Sequence, residues 1–149
     1  MNESLDSSYS ATIADCPDPV RQATILAIDD DPDISQTIKL RFRQYNVEVL
    51  QAFHGMHGFA LAAEKNPDVI ITDLRMPQGE GDYVVECLKR SSQTSHIPII
   101  VLTGQRDDNL RRRLRNLGID EYLTKPVAFD DLREAVGRFI DLQEKANDD

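Results

Sequence analysis

The sequence predicts an α/β fold, a five-stranded parallel sheet with helices wound over both faces. Five short apolar runs recur along the chain, each too short for a helix of its own. Between them lie stretches whose apolar residues return every three or four positions, the period of a helix packed on one side. Crossovers this short require parallel strands and right-handed winding.

Each element follows from local chemistry. Residues 1–22 are polar, rich in Ser and Asp, carry Pro17 and Pro19, and are expected to form a mobile tail. Thr24 to Ile28 form the first strand, which runs into Asp29-Asp30-Asp31. Pro32 opens a helix that Asp31 is placed to cap, with Ile34, Ile38, Phe42 and Tyr45 as its buried stripe. Val47 to Ala52 form the second strand. Gly55 breaks the chain before a helix holding Phe59, Ala60 and Ala63, which closes near Asn66-Pro67. The third strand, Val69 to Thr72, stops at Asp73, after which Met76-Pro77, Gly79 and Gly81 turn the chain away. Asp82 is expected to cap the next helix, with Val85 and Leu88 inward, and Ser91 to Ser95 to form a polar connector. Ile99 to Leu102 form a buried fourth strand ending at Thr103-Gly104. Asp107 and Asp108 suit the N-terminal dipole of a helix striped by Leu110, Leu114 and Leu117 and ended by Gly118. Ile119 to Leu123 make a fifth strand that stops at Thr124-Lys125-Pro126. The last helix starts near Asp130 and buries Leu132, Val136, Phe139 and Ile140, leaving residues 143–149 as a charged tail.

For five strands wound this way the flavodoxin-like order 2-1-3-4-5 is expected. It makes the first and third strands neighbours and so brings Asp29 and Asp30 beside Asp73. Ligands of open α/β sheets bind at such a switch point, beyond the carboxyl ends of the strands.

The 149 residues suit one domain, and 40% hydrophobic with 29% charged residues is ordinary for a globular chain. A net charge of -9 repels a phosphate backbone, which argues against direct nucleic-acid binding. The longest apolar run, Ile97 to Leu102, is too short to span a bilayer, and residues 1–23 do not read as a secretory signal. Cys16 and Cys87 lack metal or redox spacing. A cytoplasmic protein without membrane contact is expected.

Asp29-Asp30, Asp73, Thr103 and Lys125 end four strands on one edge. Each alone is equally a turn, cap, strand-end or solvated residue. Together they place three carboxylates where mutual repulsion calls for a cation, and few side-chain oxygens with water completing the shell suit Mg²⁺. With Lys125 as a fixed positive charge and Thr103 as a hydroxyl donor, such a carboxylate is equipped to take up a phosphoryl group.

ILAIDDDPD, VIITDLRMP, IPIIVLTG and YLTKP, in this order and spacing, resemble the receiver domain of bacterial two-component response regulators over about residues 23–142. The resemblance implies that Asp73 is the phosphoacceptor. Asp30, Asp73 and the backbone carbonyl of Arg75 would bind Mg²⁺, while Asp29 holds metal-bound water. Thr103 and Tyr122 would be the switch pair, and Lys125 would contact the phosphoryl group through a residue whose bond to Pro126 is cis. It further implies phosphoryl transfer from a sensor histidine kinase or phosphotransfer protein. The chain itself reads as a stand-alone receiver whose downstream protein binds residues about 105–142. Two positions depart from the family pattern: MPQGEG replaces a more apolar turn, and Gly104 stands where alanine is common. Arg75, two residues after the acceptor, is expected to lie over the phosphoryl group and slow its loss, or else to point to solvent.

Two other features stay open. His54 and His57 lie three apart without an evident third ligand, as a weak metal pair or plain surface histidines. Arg111, Arg112, Arg113 and Arg115 are either a docking surface or a solvated helix face. Two further functions compete with the switch. A Mg²⁺-dependent aspartyl-phosphate phosphatase would want an aspartate where Arg75 stands and a cap over its substrate. A receiver acting without phosphorylation would want the acidic pair, acceptor or lysine missing.

Overall fold

The computed structural model describes residues 22–75, 81–104 and 106–146. Five strands, β1 (Ala23–Ile28), β2 (Val47–Ala52), β3 (Val69–Thr72), β4 (Ile99–Thr103) and β5 (Glu121–Thr124), form one parallel sheet in the order β2-β1-β3-β4-β5. They alternate with helices α1 (Pro32–Arg41), α2 (Gly55–Lys65), α3 (Gly81–Arg90), α4 (Asp108–Leu117) and α5 (Phe129–Gly137). This is the expected flavodoxin-like winding, with β1 registered against β3 from Ile25↔Val69 to Ile28↔Thr72.

Burial explains the sequence pattern. Central strands β3 and β4 are buried at every position, which is why they read as continuous β-branched runs, whereas edge strand β2 alternates. Successive residues feed opposite faces of the sheet. Leu26, Ile28, Ile70, Ile99 and Val101 pack with Ala62 of α2, Val84, Val85 and Leu88 of α3, and Leu114 of α4. Ile25, Ala27, Val69, Ile71, Ile100 and Leu102 pack with Ile38 of α1 and Leu132, Ala135 and Val136 of α5.

Several boundaries differ from the sequence reading. The stripe Ile38, Phe42, Tyr45 is buried, but α1 stops at Arg41 and tightens into a 3₁₀ turn, Phe42–Gln44, before Tyr45. β5 begins at Glu121, because Asp120 is taken up in bonds to Ile99 and Ile119 completes the C-terminal cap of α4. α5 ends at Gly137, so Phe139 and Ile140 pack from the following turns. The polar connector after α3 hides Thr94, whose hydroxyl donates to the Leu88 carbonyl at 2.6 Å. Residues 143–145, read as tail, run antiparallel to residues 44–46: Asn46 N–H donates to Gln143 and Lys145 N–H to Gln44. Residues 1–21, read as part of a mobile tail, residues 76–80, where a chain reversal was expected, and residues 147–149 lie outside the described residues.

Candidate functional site

The carboxyl edge of the sheet collects the predicted polar residues. Asp29 N–H donates to the Ala52 carbonyl and Asp73 N–H to the Ile28 carbonyl, both at 3.0 Å, so each aspartate is fixed by the strand beside it. Asp29, Asp73 and Lys125 each fall two residues after one, Ala27, Ile71 or Leu123, that packs on the α1/α5 face. The alternation of the strands thereby directs the three toward one another.

Asp29, Asp30 and Asp73 offer carboxylate oxygens that all lie within 4.8 Å of one another. Lys125 Nζ lies 3.0 Å from Asp29 Oδ2 and 3.2 Å from Asp73 Oδ2, bridging two buried carboxylates. The remaining oxygens are held by the backbone. Asp29 Oδ1 accepts from Asp31 N–H at 2.9 Å, and Asp73 Oδ1 accepts from Leu74 N–H at 2.7 Å and Arg75 N–H at 3.3 Å. Asp30 is exposed and has no hydrogen bond or ion pair among the described residues.

Burial lifts the Asp29 carboxyl above its ordinary value, against the lowering pull of Asp31 N–H and Lys125. Burial alone would lower the Lys125 ammonium, but its bonds to Asp29 and its proximity to Asp73 overcome this and raise it. One ammonium therefore faces three carboxylates, a set left with excess negative charge. Hard oxygen donors on separate loops, one of them open to solvent, fit Mg²⁺, which keeps much of its water shell.

The other predicted residues stand nearby. Thr103 is fully buried at the end of β4, and its carbonyl accepts from Lys125 N–H at 2.8 Å. Tyr122 lies opposite Val101 in β5, buried, with the Arg111 guanidinium 5.6 Å from its ring centroid. Burial first, then Asp107, raises its phenol. The Lys125–Pro126 peptide is cis. Gly104 is exposed, and a methyl group there would meet nothing within 4 Å, so space does not require glycine. Arg75 is exposed at the mouth of the site.

One reading is corrected. Asp82 does not cap α3; it lies in the first helical turn, and its carboxylate accepts from Arg113 of α4 at 2.6 Å. The four arginines of α4 are all exposed; Arg113 bonds Asp82 and Arg111 lies over the ring of Tyr122. The histidines also have local work. His54 Nδ1 accepts from His57 N–H at 3.3 Å and caps α2, and no third ligand joins them among the described residues.

Sequence reasoning missed two supports. Thr72, fully buried, donates its hydroxyl to the Asp73 carbonyl at 3.0 Å and so helps fix the peptide that follows the acceptor candidate. Gly58 of α2 packs on Ile28, immediately before Asp29: an added Cβ would come within 2.7 Å of Ile28 Cγ1. A threonine directly before Asp73, and a glycine inside a helix where alanine is favoured, were the available signals.

Comparison with known proteins places these features in context. The model of the response regulator receiver domain family matches residues 25–137. Protein PilH of Pseudomonas aeruginosa is 32% identical over 118 residues, which are 79% of this chain and 98% of that protein. Hybrid signal transduction histidine kinase D of Dictyostelium discoideum is 35% identical over 118 residues, but these are only 7% of its length. The chain spans less than half of several curated relatives that it matches, 45% and 12% in two further cases. Among solved structures, Vibrio cholerae chemotaxis protein CheY4 superposes with a TM-score of 0.75 at 28% identity, covering 80% of this chain and all of that one.

Proposed function

The chain belongs to the response regulator receiver domain family, and from that premise we propose that it is a switch driven by phosphorylation of Asp73. The observation that carries the reading is the convergence of Asp29, Asp30 and Asp73 within 4.8 Å, with Lys125 bridging two of them. The donor is a phosphohistidine on a sensor kinase or phosphotransfer protein. An Asp73 carboxylate oxygen bonds to phosphorus as the phosphorus–nitrogen bond breaks, and the departing imidazole keeps the electron pair and takes a proton from solvent.

Asp30, Asp73 and the Arg75 carbonyl would hold Mg²⁺, with Asp29 orienting its water. When bound, the ion neutralises charge on the phosphoryl oxygens. Lys125 would share that task, and its pairing with Asp29 keeps its ammonium in place. The amides of Leu74 and Arg75 hold Asp73 Oδ1, which leaves Oδ2, on the Lys125 side, as the attacking atom. Thr103 would then follow the phosphoryl group and Tyr122 repack with it, changing the surface presented by about residues 105–142 to a downstream protein. Among the described residues no helix is long and apolar enough to cross a membrane.

Intact mass after incubation with acetyl phosphate and Mg²⁺ tests the reading. The mass of one phosphoryl group is expected in the wild type, and neither in Asp73→Asn nor with EDTA. Equal modification of Asp73→Asn would sink the assignment.

A further inference from the structure

α4 is held to the core through a narrow strip of leucines. Its only fully buried side chain is Leu114, with Leu110 and Leu117 half-covered against the α2/α3 face of the sheet. Among the described residues the side chain of its N-cap, Asp107, bonds only to amides of α4 itself, those of Asn109 and Leu110. Two arginines reach out from it. At 3.6 residues per turn, Arg111 leaves the helix about 60° to one side of Leu114 and Arg113 about 100° to the other. The first lies over the ring of Tyr122 on β5, and the second bonds Asp82 on α3 at 2.6 Å. Arg113 is the only residue of α4 with a side-chain hydrogen bond to another helix among the described residues.

The position of Asp82 gives this bond its interest. It lies in the first turn of α3, on the segment that continues from Asp73, whereas Tyr122 shares a sheet with Thr103. The two arms of α4 thus reach the helix that follows Asp73 in the chain and the strand paired with the one that ends in Thr103. We propose that the Asp82–Arg113 pair is a restraint that holds α4 against α3 in the unphosphorylated state and releases when α4 repacks. This rests on the reading of Asp73 as phosphoacceptor. A contact made in one state alone biases the equilibrium toward that state, so removing it must tighten any ligand that selects the other. The pair is partly exposed, so the shift should be modest, about two- to five-fold.

The test uses the full chain with beryllofluoride and Mg²⁺ as the phosphoryl probe, together with amide exchange of the free protein. Asp82→Asn and Arg113→Gln should each strengthen beryllofluoride binding two- to five-fold and speed exchange in residues 108–117. Arg113→Lys, which keeps the charge, should return both binding and exchange most of the way to wild type. Arg112→Gln, which removes the neighbouring charge, should change neither. Unchanged or weaker binding in the first two variants, or an equal gain in Arg112→Gln, would overturn the restraint. If the wild type takes up no beryllofluoride, the phosphoacceptor reading fails, and the exchange rates still decide whether the pair holds α4.

Discussion

Aspartates occupy both edges of the sheet, and they do different work at each. At the amino edge Asp68 and Asp120 are each clasped to the start of a neighbouring strand. Thr24 N–H donates to the Asp68 carboxylate at 2.8 Å while Asp68 N–H donates to the Thr24 carbonyl, and Asp120 repeats the clasp with Ile99 at 2.9 Å in both directions. Each carboxylate there satisfies a strand-end amide that would otherwise lack a partner. At the carboxyl edge Asp29 and Asp73 also accept backbone amides, but they converge with Asp30 and share Lys125. The difference lies in the topology. Adjacent β1 and β3 both end in aspartate, so the winding that makes them neighbours also makes their carboxylates neighbours. One residue type thereby serves as a clasp at one edge and as a charged site at the other.

The largest effect on this contrast should come from beneath the carboxyl edge. Gly58→Ala forces Ile28 aside directly before Asp29 and should cost about 1–3 kcal/mol. Urea unfolding should register the loss, and the variant should also bind Mg²⁺ more weakly as Asp29 shifts. A loss confined to stability would mean that Asp29 is held by its own hydrogen bonds alone.

Next in size, Asp68→Ala leaves Thr24 N–H without its carboxylate partner and should cost about 1–2 kcal/mol. Phosphoryl uptake from acetyl phosphate should stay at the wild-type rate, since Asp68 and Asp73 lie at opposite ends of β3. A slower rate would show that the two edges are coupled.

Much of this was legible in the sequence because it is local. The apolar runs of β1 to β4 marked their strands, Asp31 and Asp107 marked helix starts, the parallel winding followed from connection length and the strand order from the number of strands. The carboxyl-edge residues were legible because each interrupts an apolar run. The clasps of Asp68 and Asp120 were not, since a carboxylate beside a strand looks the same whether it caps, clasps or faces water. Asp82 was misread for a related reason. An acidic residue beside a helix start usually serves that helix, and only the packing of α3 on α4 reveals Arg113 within reach. Gly58 gave a signal without an address, because the partner that excludes a side chain lies on β1, thirty residues earlier in the chain.

The smallest predicted effect concerns Arg75, exposed beside the site. If its guanidinium lies over the phosphoryl group and excludes in-line water, Arg75→Asn should release phosphate from Asp73 several-fold faster. Timing the loss of phosphoryl mass in both proteins decides it, and an unchanged rate would place Arg75 in solvent.

The contrast between the edges is tested most directly by thermal unfolding across a Mg²⁺ titration in wild type, Asp30→Asn and Asp68→Asn. Asp30 suits the purpose because it is exposed and bonds to no described residue, so its loss should leave the apo fold intact. An ion that binds only the folded state raises the midpoint in proportion to the logarithm of its concentration once the site saturates. Wild type and Asp68→Asn should rise in parallel, the latter from a lower start, while Asp30→Asn should rise little. A full rise in Asp30→Asn, or a lost one in Asp68→Asn, would contradict the assignment of the cation to the carboxyl edge.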